Sequence, residues 1–412
     1  MDNSKSEILI VGGGIGGLTL ALSLHAEGIA CSIFESVPDF KPLGVGINLL
    51  PHALRELSAL GLENELRSFG IEAREFVYYN RHGQKIFVEP CGRYAGYDYP
   101  HFSIHRADLH QVLLEAVLDR LGPQAVYLDH PCLEVEQTKY SVRAHFENGV
   151  TREGSILIAA DGFHSAIRRQ FYPDEPAPQF GGINMWRGVT RRKPFLSGAS
   201  VTRIGTVAKG KMMIYPIRQF EDGTQLINWV AEQPREGFKQ NDWGTHGHIE
   251  DFIGVYQDWT FDWLDVPELI KNANFILEYP MVDRDPVSRW SFERVALMGD
   301  AAHPMYPRGG NGGAQAILDA SILAGLISSN ENPIVALQTY EHQRLKDVNE
   351  IVLTNRTQPP DYIIEHVDLL TNGEPFKNIE DIISVSELAA ISNRYKEVAK
   401  YSLGDVGGNL EV

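Results

Sequence analysis

The stretch Glu7-Ile8-Leu9-Ile10-Val11-Gly12-Gly13-Gly14-Ile15-Gly16-Gly17-Leu18-Thr19-Leu20-Ala21-Leu22 decides the fold. Four apolar residues run into a glycine cluster, and Leu18, Ala21, Leu22 and His25 then recur at three- and four-residue spacing. That order reads as a buried strand, a tight turn and a helix. Gly12, Gly14 and Gly17 satisfy G-x-G-x-x-G, with Ile15 and Gly16 inside the motif. The first glycine permits the turn, the second lets a pyrophosphate approach the backbone, and the third lets the helix pack closely on the strand. Phosphates placed there face free N–H groups at the positive end of the helix. A second strand, Cys31-Ser32-Ile33-Phe34, ends at Glu35, an acid eighteen residues past Gly17. An acid at that distance accepts hydrogen bonds from ribose hydroxyls, so the ordered set predicts a dinucleotide site rather than an unliganded glycine-rich turn.

Working outward, 412 residues are too many for one compact core, which predicts two domains or one with a large insertion. A hydrophobic content of 43% and a charged content of 22% are those of an ordinary globular protein. The net charge of -17, from 37 basic and 54 acidic residues, argues against nucleic acid or an anionic membrane as the main partner. Cys31, Cys91 and Cys132 have neither metal spacing nor even pairing, which predicts a reduced, cytoplasmic setting. The 14 histidines show no cysteine or carboxylate partner at ligand spacing, so no metal site is expected. Met1–Glu7 is polar and unlike a targeting signal, and no apolar run reaches the roughly 20 residues of a membrane helix.

Four further segments carry chemistry. Lys41-Pro42-Leu43-Gly44-Val45-Gly46-Ile47 is a loop whose close glycines can run flat against a planar ligand, followed by a helix near 52–60. Ser103-Ile104-His105-Arg106 leads into a long helix with Leu109, Val112, Leu113, Ala116, Val117 and Leu121 on one face, and a cation fixed at its entry can clamp a pyrophosphate. Two more buried strands run into sharp turns, at Asp161-Gly162 and at Gly299-Asp300-Ala301-Ala302-His303-Pro304. The second turn is followed by Met305-Tyr306-Pro307-Arg308-Gly309-Gly310-Asn311-Gly312-Gly313, a cradle of bare N–H groups at a helix start.

Residues 76–99 read as a hairpin, and 180–279 alternate apolar and polar residues with many Trp and Tyr, as antiparallel strands do. Helices are expected near 249–257 and 266–272. The fold class is therefore α/β: a Rossmann-like domain (1–75, 100–179, 280–355), an inserted, mainly antiparallel sheet for the substrate (76–99, 180–279), and a C-terminal helical segment (356–412).

These motifs, in this order, resemble the flavoprotein aromatic hydroxylases, FAD monooxygenases of the para-hydroxybenzoate hydroxylase type. Leu43–Asn48, Ser103–Arg106, Met185-Trp186-Arg187-Gly188-Val189, Asn228-Trp229-Val230 and Tyr279-Pro280-Met281-Val282-Asp283-Arg284-Asp285-Pro286 look most like the phenazine-carboxylate hydroxylase branch. The resemblance implies that Gly12, Gly14, Ile15, Gly16 and Gly17 hold the FAD pyrophosphate and Glu35 the adenosine ribose. It implies that Arg106 contacts the phosphate and ribityl region, that Asp161 sits near the FAD and the NAD(P)H route, and that Asp300 binds the ribityl chain or pyrophosphate. Val45 and Gly46 would line the ring, Gly310, Gly312 and Gly313 would face the flavin pyrimidine edge, and Pro307 would lie by the reactive carbon. Many relatives carry an asparagine where Ala314 stands, and Arg308 is unusual in a segment facing the ring; an anionic substrate group is its expected partner.

NAD(P)H would reduce the flavin, dioxygen would add at flavin C4a, and the hydroperoxide would oxygenate an electron-rich ring carbon, with or without loss of a carboxylate. The protein need supply no nucleophile. His303 reads as structural. Tyr215 and Trp229 are candidate substrate contacts from a sheet floor, with Met185, Arg187 and Tyr306 behind them. The rival readings are epoxidation, Baeyer–Villiger insertion or polyketide antibiotic hydroxylation on the same fold, and a flavin-binding sensor without turnover. A monomer or homodimer is expected.

Overall fold

A computed structural model describes residues 7–40, 44–237 and 245–407. Lys41, Pro42 and Leu43 of the glycine loop and residues 408–412 lie outside them. The strand Ile8–Val11 forms as read and occupies the middle of a six-stranded sheet, ordered Ser291–Phe292, Val295–Leu297, Ile156–Ala159, Ile8–Val11, Cys31–Phe34, Val126–Tyr127. All its pairings are parallel except that of Ser291–Phe292 with Val295–Leu297. Parallel strands are covered on both faces, which is why Ile8–Val11 and Ile156–Ala159 are unbroken apolar runs, buried throughout. The helix Ile15–Ala26 packs between Arg106–Leu121 and Gly312–Ser329.

An eight-stranded sheet is ordered Thr245–His246, Ile276–Asp283, Gln179–Arg192, Gln225–Pro234, Gly210–Gln219, Ser200–Thr206, Glu75–Tyr79, Lys85–Pro90. It is antiparallel apart from the pairing of Ser200–Thr206 with Glu75–Tyr79. Ile276–Asp283 belongs wholly to this sheet, so the sheet runs past the expected boundary at 279. Alternation gives it two faces. Trp186, Ile214, Ile227 and Trp229 pack on one of them against Phe252, Tyr256, Trp259 and the helix Val266–Lys271. The segment expected to be helical at 249–257 forms only the short 3-10 turns Ile249–Asp251 and Ile253–Tyr256.

The other face carries Met185, Val230, Leu277, Tyr279 and Met281 and looks toward the parallel-sheet unit. A three-stranded sheet of Gly46–Leu49, Phe102–His105 and Ile71–Glu72 lies between the two units. The remaining chain is helical, at Pro333–Thr357, Tyr362–Leu370, Val385–Val398 and Leu403–Val406. Tyr362–Leu370 packs on Ser200–Thr206 and Glu75–Tyr79, and Val385–Val398 on Lys85–Pro90, so the C-terminal segment joins the edge of the large sheet. No helix of the described residues is long and apolar enough to cross a membrane.

Candidate active site

Three turns leave the carboxyl ends of neighbouring parallel strands, after Val11, Ala159 and Leu297, where ligands of open α/β sheets bind. Gly12 has φ +109°, and a Cβ there would lie 2.3 Å from the Ala160 carbonyl oxygen. A Cβ on Gly17 would lie 2.0 Å from the Gly12 carbonyl oxygen. A Cβ on Gly16 would lie 3.3 Å from the side chains of Met298 and Ala316, so Gly16 packs the turn against the third strand and its helix. Gly14 differs: a Cβ there would meet nothing within 4 Å, and no side chain caps the helix it opens. The N–H groups of Ile15–Ala26 therefore point into an open cleft. Glu35 closes one side, accepting from the N–H of Gly13 at 2.7 Å and of Val37 at 3.0 Å.

Asp161 accepts from the N–H of Ala166 at 2.9 Å through Oδ2, while its buried Oδ1 has no partner. Burial pushes this carboxyl up, against the pull of Ser165 and the helix-start amides. The following helix Ala166–Phe171 carries Arg168, which ties the second turn to the third. Its Nη1 donates to the carbonyls of Ala301 and Ala302 at 2.9 and 2.7 Å, and its Nη2 pairs with Glu175 at 2.5 Å. The third turn is anchored from behind by Asp319, which accepts from the Gly299 N–H at 3.0 Å and pairs with His303 at 2.7 Å and Arg344 at 2.9 Å. Burial alone would raise the Asp319 carboxyl, but His303 and Arg344 hold it well below the carboxylate range. His303, wholly enclosed in that pair, has the structural place expected of it.

Asp300 in this turn is exposed to the cleft, and so is Arg106. The surrounding protein lowers the Arg106 pKa, the Asp300 carboxylate pulls it back up, and Arg187 pushes it down again. Among the described residues Arg106 has no ion-pair partner, so its charge is uncommitted. Its backbone N–H donates to the Val45 carbonyl at 2.9 Å, which joins the glycine loop to the cation. Beyond Asp300, Pro307 is exposed, Gly310 has φ +66°, and the helix Gly312–Ser329 begins with no side chain capping it. A Cβ on Gly313 would come within 3.0 Å of Ile47, so the strand Gly46–Leu49 abuts this cradle.

The large sheet closes the cleft. Tyr215 is buried on the near face, and a Cβ on Gly46 would sit 2.8 Å from its ring. Burial raises the Tyr215 phenol, with Arg187 opposing it. Met185 and Tyr306 join Val45 in one buried apolar cluster on this face, the candidate substrate chamber.

Two expected contacts fall elsewhere. Trp229 points to the far face, packs with Phe252, and donates from Nε1 to Thr190 Oγ1 at 3.1 Å; its neighbours Asn228 and Val230 take the near face because side chains alternate. Arg308 is turned away from the chamber into a buried cluster, paired with Asp361 at 2.7 Å and Glu365 at 3.2 Å, while Lys211 pairs with both Asp361 and Glu232. Its charge is already met by the C-terminal segment. Arg168, Asp319 and Arg344 have no motif that announces them; Asn228 stands on the near face next to Trp229, and only strand phase separates the two.

The model of the FAD binding domain family matches residues 5–257 and 267–354. A phenazine 1,6-dicarboxylic acid hydroxylase of Lysobacter antibioticus is 39% identical over 97% of this chain and 98% of its own. The chain belongs to this family of FAD-dependent aromatic hydroxylases. A 3-amino-4-hydroxybenzoate 2-monooxygenase of Streptomyces platensis is 33% identical over 85% of this chain and 87% of its own. HpxO of Klebsiella pneumoniae, crystallised with FAD and uric acid, shares the fold: TM-score 0.72 at 23% identity, over 97% of this chain and 94% of its own. This family member is an FAD-dependent monooxygenase, and the open amides at Gly14, the uncommitted Arg106 and the bare helix start at Gly312 fit an electron-rich dinucleotide.

Proposed function

We propose that this enzyme consumes NAD(P)H and dioxygen to hydroxylate a planar aromatic or heteroaromatic acid, of which a phenazine carboxylate is the leading candidate, with or without loss of the carboxylate. Both curated relatives described above are named for carboxylated aromatic rings, which supports that class. The observation that carries the reading is the cleft itself. One wall is formed by three turns, with uncapped helix-start N–H groups at Gly14 and Gly312; the other is an apolar sheet face of Met185, Val230, Leu277, Tyr279 and Met281.

When bound, FAD supplies hydride acceptance and oxygen activation. The chain's own residues bind, orient and exclude water. Amides at Gly12–Gly17 take the pyrophosphate, Glu35 the ribose, and Arg106 adds the neutralising cation. Asp300 takes a hydroxyl or phosphate edge on the ribityl side, and Asp161 stands where the second turn opens to a nicotinamide cofactor. Val45, Gly46 and Pro307 flank the ring. The N–H groups at Gly310, Gly312 and Gly313 would hold an electron-rich edge of the cofactor, and such fixed donors need no reorganisation to meet negative charge. The apolar chamber holds the substrate ring and keeps water from the reacting atoms.

The test uses the purified, yellow protein. NAD(P)H oxidation should rise on adding phenazine-1-carboxylate or a hydroxybenzoate, with oxygenated product recovered. Stimulation by ketones, alkenes or tetracyclines alone, or a flavin that no pyridine nucleotide reduces, would overturn the proposal.

A further inference from the structure

Arg187 is out of place on the near face of the large sheet. One cross-strand row reads Leu277, Arg187, Val230, Met213, Arg203, Tyr78, so Arg187 stands between apolar side chains, three strands from the next charge in the row. Several buried or half-buried arginines have carboxylate partners, Arg168 with Glu175, Arg344 with Asp319, Arg356 with Asp283, Arg308 with Asp361, while the buried Arg203 lies against the rings of Phe76 and Tyr78 instead. Arg187 has none within ion-pair distance among the described residues. Its Nη2 donates to the Gly46 carbonyl at 3.2 Å, and its Nε is buried without a hydrogen-bond partner. The neighbouring row reads Val189, Asn228, Tyr215. Asn228 Oδ1 accepts from the Gly46 N–H at 2.7 Å, which fixes the amide's orientation and leaves Nδ2 a buried donor without a partner. The two side chains thus bracket one residue, Gly46, from its carbonyl and its N–H sides. The guanidinium, which also hydrogen-bonds the Tyr215 phenol but meets no carboxylate, and the two orphan donors are costly in a low-dielectric setting unless a ligand answers them.

We infer that Arg187 and Asn228 form the anchor for the substrate's carboxylate, with the aromatic ring laid on the apolar side chains of the same face. The inference rests on the aromatic-acid reading above. It also moves the anion-binding role expected of Arg308 to a guanidinium that no acid of the chain has claimed. Nε and Nδ2 offer two donors to a group with two acceptor oxygens, and the cation makes those bonds charge-assisted.

The experiment measures calorimetric dissociation constants on the FAD-loaded chain for phenazine-1-carboxylate and 3-hydroxybenzoate, each beside its carboxamide. Wild type should prefer the acids. Arg187→Met should weaken the acids on the order of 10- to 100-fold, the range for a hydrogen bond to a charged group, and leave the amides nearly unchanged. Arg187→Lys should restore part of the preference. Asn228→Asp still accepts from the Gly46 N–H but replaces the orphan donor with negative charge, so it too should reject the acids selectively. A role in propping Gly46 alone would weaken acid and amide together in the variants, and an acid preference that survives both Arg187→Met and Asn228→Asp overturns the inference while the proposed function stands. Wild-type enzyme that binds no aromatic acid would overturn both.

Discussion

The two walls of the cleft are built by different rules. On the turn side the proposed binding is by backbone, and geometry dictates residue type: glycine where φ is +109° at Gly12, and glycine where a Cβ would strike a carbonyl at Gly17. On the sheet side the proposed binding is by side chains, and many apolar residues would fill the same places; what matters is which face each one takes. A backbone site therefore tolerates almost no substitution, whereas a side-chain site can change its ligand one residue at a time.

The sharpest break in that comparison is Gly17→Val. A Cβ 2.0 Å from the Gly12 carbonyl cannot be relieved by a flexible side chain, so the helix must leave the strand. A loss of about 3 kcal/mol or more is expected, read as unfolded or insoluble protein by circular dichroism.

Asp319→Asn comes next. It removes the charge that answers Arg344 and His303 behind the third turn, at a cost of about 3 kcal/mol for a broken buried pair. The sign with pH follows from the depressed carboxyl. Its stabilising contribution is fully present above the unfolded value near 3.9 and fades as pH falls through the lower folded value. Denaturant melts between pH 7 and pH 2 should show a smaller acid-induced loss in Asp319→Asn than in wild type. An unchanged acid limb would remove Asp319 from the account.

Trp229→Phe should do least, losing the bond to Thr190 and some far-face packing, about 1–2 kcal/mol in a thermal melt. Substrate KM should stay at the wild-type value. A KM shift without a stability change would return Trp229 to the chamber.

The same contrast sets how much was legible beforehand. The turns could be read because a glycine in a tight βα turn leaves a fixed spacing, and Asp161-Gly162 and Gly299-Asp300 lie at strand ends where the pattern said they would. The aromatic hydroxylase assignment followed from those motifs and is supported by the family match. Sheet phase was harder to see. Asn228, Trp229 and Val230 are consecutive, and nothing in their identities says which face looks at the cleft; the largest aromatic proved to be ordinary far-face core. Arg308 misled for a related reason. Its partners Asp361 and Glu365 lie more than fifty residues onward, in a helix whose docking no local spacing reveals. Arg168, which staples two turns together, was equally invisible, since its acceptors are backbone carbonyls of Ala301 and Ala302.

The central claim is that three turns grip one FAD through their amides, and Gly14→Val tests it most directly. Open space around Gly14 predicts a variant that folds like wild type without its cofactor. The β-branched side chain then fills the room needed by the pyrophosphate, so the purified variant should be colourless, with normal circular dichroism and no FAD uptake on titration, where wild type takes up one FAD per chain. A folded Gly14→Val protein that is yellow and binds FAD with wild-type stoichiometry and affinity would contradict it.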